Sequence, residues 1–74
     1  MVREELVQEV QRFCAEHSYR YVDCITIGRC FLILILGDKC IEPFKQFLSE
    51  LKGVKEYTTP GPIIESVGAY VTFY

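Results

Sequence analysis

The chain has 74 residues, a formal net charge of −2 and a hydrophobic content of 50%. This length predicts one domain, residues 1–74, whose single core is only marginally able to stabilise a fold. The Lys and Arg residues are spread along the chain, so we expect no nucleic-acid binding by this domain alone. So small a body cannot hide all of its apolar side chains, and some of them are therefore expected in an interface.

Neither a secretory signal nor a membrane span is expected. Arg3, Glu4 and Glu9 interrupt the N-terminal segment, which excludes the apolar stretch of a secretory signal. The longest apolar run, Cys30–Leu36, is far shorter than the roughly 20 residues that cross a bilayer. We therefore expect a cytoplasmic protein with no membrane partner, whose cysteines are kept as reduced thiols.

The first half of the chain predicts a helix followed by a hairpin. Apolar residues recur at three- and four-residue steps between charged ones, which predicts an amphipathic helix from about residue 2 to residue 17. Residues 19–27 are rich in Tyr, Val, Ile and Thr, and they predict a strand. A tight turn at Gly28, where glycine supplies a positive φ, leads into a second strand over Cys30–Leu36.

The turn also predicts the register of this hairpin. With Ile27 opposite Cys30, Cys24 lies opposite Ile33. Cys24 and Cys30 are then too far apart across the hairpin to form a disulfide.

The second half predicts another helix and two strands. Asp38 is expected to cap the helix and Pro43 to lie in its first turn. The helix should end within a residue or two of Lys52, before a left-handed Gly53. Its apolar face is formed by Ile41, Phe44, Phe47, Leu48 and Leu51. Residues 54–58 predict a short strand, 59–62 a rigid turn and 68–74 a last strand, which gives the order α-β-β-α-β-β.

These elements predict a two-layer α+β domain with both helices on one face of an antiparallel sheet. The strand Cys30–Leu36 is apolar at every position, which is typical of a strand that is covered on both faces. With no helix left over, we expect the sheet of a second subunit to cover the other face in a homo-oligomer. The alternative is a central strand in a loosely covered monomer. The predicted interface residues are Phe31, Ile33, Ile35, Tyr21, Tyr70 and Tyr74.

A family resemblance covers about residues 20–59. The strand and its flanks from Arg29 to Gly37, then the second helix and the sequence LKGVK at 51–55, resemble small ferredoxin-like regulatory domains. The segment is most similar to the C-terminal domain of nickel-responsive regulators, and more loosely to ACT-type domains. The resemblance implies a ferredoxin-like sandwich that oligomerises through its sheet. The family's first strand would be supplied here by residues 68–74, a circular permutation, and no ribbon-helix-helix DNA-binding segment is expected.

The resemblance also implies part of a metal site. The family binds its ion with a cysteine at the start of the second hairpin strand and two histidines shortly before it. Cys30 matches that cysteine, Cys24 stands at the nearer histidine position and Val22 at the farther one. The candidate ligands are therefore Cys24 and Cys30 with His17 or Cys14, a soft set that favours zinc or Cu(I). The alternative is that the cysteines are small buried apolar residues, since none is in a C-x-x-C pair.

We therefore expect a small oligomeric regulatory or ligand-sensing domain, with any ligand or metal held where subunits meet. The alternative is a structural interaction module that pairs through its sheet face. An enzyme is not expected, because no nucleophile and base stand together in the sequence. A catalytic role would fall to Cys24 or Cys30 as a nucleophile, which requires an accessible thiol of lowered pKa.

Overall fold

The computed structural model describes residues 2–37, 42–59, 61–63 and 66–74. The predicted cap Asp38, the predicted helix residue Ile41 and the thiol of Cys40 lie outside the described residues. In chain order the described elements are α1 (Arg3–His17), β1 (Arg20–Ile27), β2 (Cys30–Leu36), α2 (Glu42–Ser49), β3 (Val54–Tyr57), β4 (Gly61–Ile63) and β5 (Ser66–Phe73).

The N-terminal helix and hairpin form where the sequence predicts them. Helix α1 ends at His17 and is followed by the cap residue Ser18, whose φ of 61° is left-handed; the Tyr19 amide donates to the Cys14 carbonyl at 2.8 Å. Gly28 has the predicted positive φ, +60°. The hairpin register places Ile27 opposite Cys30 and Cys24 opposite Ile33, so the register prediction is confirmed.

Helix α2 ends earlier than predicted, at Ser49 rather than near Lys52. After this point the backbone tightens, because the Glu50 amide is shared between the carbonyls of Gln46 and Phe47 and the Leu51 amide donates to the Leu48 carbonyl, at 3.4 Å. Such three-residue hydrogen bonds are common in the last turn of a helix. Gly53 has the predicted left-handed conformation, with a φ of +79°.

The C-terminal part contains a short strand that the sequence does not predict. The sequence predicts only a turn over residues 59–62, but Gly61–Ile63 pairs with β5, with Gly61 opposite Gly68. Proline is tolerated on an edge strand, where its missing amide need not face the neighbouring strand. The last strand therefore begins at Ser66, before the predicted start at Gly68.

The sheet is antiparallel, as predicted, and its strands follow the order β1-β2-β5-β3. The short β4 pairs with β5 beyond the end of β3. The chain thus has the predicted α+β architecture. Its last strand lies inside the sheet, between β2 and β3, while β1 forms one edge.

Both helices cover the same face of the sheet. Their buried side chains form a single cluster with those of the three strands β1, β2 and β5. Phe13 of α1 joins the two helices, because its ring stacks on Phe47 at 4.7 Å and on Phe44 at 5.6 Å between centroids. The buried residues of this core are Leu6, Val10, Phe13, Cys14, Cys24, Ile33, Ile35, Phe44, Leu48, Leu51, Val67, Ala69 and Val71.

Candidate functional site

Strand β2 sends apolar side chains to both faces of the sheet. Ile33 and Ile35 are 0% and 1% exposed beneath the helices. Because side chains alternate along a strand, Leu32, Leu34 and Leu36 lie on the opposite face. They are half-buried, whereas Ile33 and Ile35 are fully buried. The face away from the helices is therefore apolar at its centre, and neither described helix covers it.

The neighbouring strands extend this apolar surface. Ile25 pairs with Leu32 and Tyr70 pairs with Leu32 from the other side, so all three side chains share a face. Ile25, Ile27 and Tyr70 are 39%, 47% and 46% exposed. We call this surface the open face, and its members are Ile25, Ile27, Cys30, Leu32, Leu34, Leu36 and Tyr70.

Several predicted interface residues lie on the other side of the sheet. Ile33 and Ile35 belong to the core, so the prediction that their side chains contact another subunit does not fit their burial. Tyr21 pairs with Ile35, and Tyr21 and Phe31 both pack against the same core. The sequence does not reveal this assignment because β2 is apolar at every position. Without polar residues in alternation, neither set of alternate side chains is marked as the set that faces the helices.

The two remaining interface candidates differ from each other. Tyr70 lies on the open face, so its part in an interface stays a prediction. Tyr74 follows the last strand, with 89% of its surface exposed. Its amide donates to the Gly53 carbonyl at 3.1 Å, which fixes the end of the chain beside the start of β3.

Polar groups border the open face. The Cys30 thiol and the Thr72 hydroxyl are hydrogen-bonded at 3.3 Å, which confirms that both side chains point to this face. Thr58 makes two hydrogen bonds with the backbone of Tyr70. Its amide donates to the Tyr70 carbonyl and its hydroxyl accepts from the Tyr70 amide, each at 2.9 Å. An apolar centre with a polar border is the usual composition of a protein interface.

The predicted metal ligands do not converge. Cys24 pairs with Ile33 on the helix side, whereas Cys30 is on the open face, so the sheet separates the two thiols. Cys14 is buried in α1, and His17 is exposed at the end of that helix. In the described part of the chain, no group of three or more His, Cys, Asp or Glu side chains is placed to hold a metal ion.

His17 is held by its own helix. Its ring stacks on Phe13 with 4.3 Å between centroids, and its Nδ1 lies 3.1 Å from the Phe13 carbonyl oxygen. These contacts orient the imidazole over an aromatic ring beside a cleft of about 890 Å³ between the helices. The two basic residues of that cleft are already engaged, with Arg12 bound to Glu9 at 3.0 Å and Lys45 to Glu42 at 3.7 Å.

Two of the thiols are poorly suited to act as nucleophiles or metal ligands. Burial raises the pKa of the Cys14 thiol to about 11. Burial also raises the pKa of Cys24, an effect that the nearby Arg3 opposes and the Asp23 carboxylate reinforces. Since the thiolate is the reactive and metal-binding form, burial disfavours that form of both groups at neutral pH.

The burial of Cys14 predicts a loss of stability in alkali. Its pKa is about 11 in the fold against an ordinary 9.0, so the folded state holds its proton more tightly than the unfolded chain. The resulting stabilisation is complete below pH 9 and is lost as the pH rises toward 11, by up to about 2–3 kcal/mol. Urea unfolding of the native protein and of Cys14→Ala between pH 7 and pH 10.5 measures this difference. The native protein should lose more stability than the variant, and equal pH slopes would contradict the assignment.

No family model, curated protein or solved structure matches the chain. Among the described residues, neither helix is long and apolar enough to cross a membrane.

The open face is the candidate functional surface of the domain, because a large exposed apolar patch usually marks a site of association.

Proposed function

We propose that this domain is an association module that pairs with a second copy of itself, sheet against sheet, through the open face. The observation that carries the proposal is that β2 is apolar on both faces while the helices cover one. A strand that is apolar on both sides is typical of a sheet that is covered on both sides. A second copy supplies that cover, with its own open face as the complementary surface.

The size of the open face suits a small dimer. Strands β1, β2 and β5 have seven or eight residues each, and the short β3 and β4 follow one another along the other side of β5. Four such rows, about 4.8 Å apart and about seven residues long, span a projected area of roughly 450 Å². This area includes the polar border; the largest apolar patch on a monomer is about 300–600 Å² and is often functional. Two such faces together, with their polar borders, approach the roughly 1,000 Å² at which specific interfaces begin. A twofold dimer uses the same patch on both subunits, so no other surface is required.

The edge of the sheet is less suited to association than its face. β1 has an irregularity between Tyr21 and Asp23, which leaves Val22 without a partner in the register. The Arg3 side chain also crosses this edge, because its Nε donates to the Cys24 carbonyl at 3.0 Å. Bulges and charged side chains on an edge strand prevent pairing with another strand, which favours face-to-face packing.

We further propose that the fold is a ferredoxin-like sandwich with its first strand moved to the end. The ferredoxin-like element order is β-α-β-β-α-β. Moving the first strand to the end gives α-β-β-α-β-β, the observed order with the short β4 set aside. The position of β5 between β2 and β3 supports this assignment, and a solved structure with β5 at a sheet edge would contradict it.

A regulatory or ligand-sensing role stays a prediction. It follows from the resemblance and requires a ligand at the junction of two subunits. Association through the open face is the step that both this role and that of a structural interaction module require, so it is tested first.

The test is to add a charge to the centre of the open face. Leu34→Lys should leave a folded monomer, since an unpaired ammonium cannot be buried between two apolar sheets; we expect a loss of affinity of at least about a hundredfold. The measurement is sedimentation velocity over a range of concentrations, with circular dichroism to verify folding. The matched control is Gln11→Lys, which adds the same charge to an exposed position of α1 and should remain dimeric.

Two results would overturn the proposal. One is a native protein that is monomeric at every concentration measured. The other is a Leu34→Lys variant that associates as strongly as Gln11→Lys. The first result would mean that the open face stays exposed to solvent in a monomer. The second would mean that the protein associates through another surface.

A further inference from the structure

The open face has one charged side chain at each of two opposite corners. Arg20 pairs with Leu36 at one end of the edge strand β1. Glu56 pairs with Thr72 on the other edge strand, β3, at the opposite end of the sheet. Since Leu36 and Thr72 lie on the open face, Arg20 and Glu56 point to the same side. A line from one to the other therefore crosses the apolar centre.

Among the residues that the structure describes, neither Arg20 nor Glu56 has a charged partner. Asp23, at the edge of the same face, is already engaged, because its carboxylate accepts from the Cys24 amide at 2.7 Å and lies 3.9 Å from the Arg3 guanidinium. In the part of the chain that the structure describes, the side chains of Arg20 and Glu56 make no ion pair or hydrogen bond. They are free to pair with a second copy.

Two sheets packed with their strands aligned would leave these charges unpaired. If the twofold axis runs along the strands, each Glu56 lies over the position of Ile27 in the other copy. If it runs across the strands, each Arg20 lies over that same apolar position. A charge placed against an apolar side chain loses water without gaining a partner, so both aligned arrangements are disfavoured.

A diagonal twofold axis pairs the charges instead. The two corners are separated by three strand spacings, about 14 Å, and by six residues along a strand, about 20 Å. An axis perpendicular to the line between them places Arg20 of each copy opposite Glu56 of the other. The strands of the two sheets then cross at about 70°, near the orthogonal class of sheet packing. The sheets would be about 10 Å apart, a gap that an arginine and a glutamate side chain together can span.

We propose that the dimer has this orthogonal arrangement, held in register by two symmetric ion pairs between Arg20 and Glu56 of opposite subunits. This inference rests on the proposed association through the open face and specifies its geometry. The apolar centre contributes most of the affinity, while the corner charges select the crossing angle, since charges at an interface border mainly determine orientation and specificity.

The test is a charge swap between two separately purified variants. In Arg20→Glu, a new carboxylate faces Glu56 of the other copy at both corners. In Glu56→Arg, a new guanidinium faces Arg20 at both corners. Each variant alone should associate at least about tenfold more weakly than the native protein at low ionic strength. A mixture of the two restores opposite charges at both corners and should form a heterodimer of near-native affinity.

The measurement is native mass spectrometry and sedimentation of each variant and of their equimolar mixture. A matched control is Glu50→Arg, an equal change of charge on the exposed surface of the helix layer, which should behave like the native protein. A mixture that shows no preference for the heterodimer would overturn the orthogonal arrangement, as would single variants that associate normally. A native protein that is monomeric would instead remove the proposed function itself.

Discussion

Ile33→Lys is expected to abolish cooperative folding of the domain. Ile33 is 0% exposed at the centre of the cluster formed by both helices and the sheet. A lysine there would bury an ammonium without a partner, which costs several kcal/mol in addition to the lost apolar contacts. A domain of this size has only about 4–11 kcal/mol of stability in total. The variant should therefore show the far-ultraviolet circular dichroism of an unfolded chain at 25 °C.

The neighbouring position provides the contrast. Leu34→Lys introduces the same side chain one residue further along β2, on the open face, and should fold. Thermal unfolding of both variants by circular dichroism compares them directly. If Leu34→Lys unfolds while Ile33→Lys retains a cooperative transition, then the two faces of the sheet have been assigned the wrong way round.

The sequence alone cannot assign these faces, and the reason is specific to β2. In most strands, alternation of polar and apolar residues shows which set is buried. Cys30–Leu36 has no polar position, so its two sets of side chains are equivalent in the pattern. The assignment comes from tertiary contacts, where Leu6 and Val10 of α1 and Phe44 and Leu48 of α2 share the core with Ile33 and Ile35.

The separation of the predicted metal ligands Cys24 and Cys30 follows from the register of the hairpin. The predicted register already placed Cys24 opposite Ile33 and Cys30 opposite Ile27, and the structure confirms it. Positions 30 and 33 are an odd number apart, so their side chains lie on opposite faces of the sheet. Cys24, which shares the face of Ile33, was therefore never on the side of Cys30. Cys24 and Cys30 are close in sequence, which suggests a pair of ligands, but their side chains lie on opposite faces of the sheet.

The secondary structure was more predictable than the connections. The bounds of α1, β1 and β2 follow from strong periodicity, from β-branched residues and from the turn at Gly28. The early end of α2 depends on the hydrogen bonds of its last turn, and β4 depends on a pairing with β5 that only the folded sheet provides. The periodicity of apolar residues predicts neither feature, because the first depends on backbone hydrogen bonds at the helix end and the second on pairing with a partner strand.

Phe13→Ala is expected to destabilise the domain by about 3–5 kcal/mol, the usual cost of removing a buried aromatic side chain. Phe13 is 5% exposed, and its ring contacts Phe44, Phe47 and His17. No other described ring joins both helices in this way, so its loss leaves a cavity between α1 and α2. Urea unfolding at one fixed protein concentration measures the cost, because the proposed dimerisation would make stability concentration-dependent.

A suitable control is Phe47→Ala, in which the same atoms are removed from a half-buried position, and which should cost clearly less. Phe13 lies in the helix layer, so its removal leaves the open face unchanged, and the fraction of Phe13→Ala that is folded should still form dimers. Sedimentation in the absence of denaturant tests this. A folded but monomeric Phe13→Ala would mean that association depends on the helix layer. A variant as stable as the native protein would mean that Phe13 is not the residue that joins the two helices.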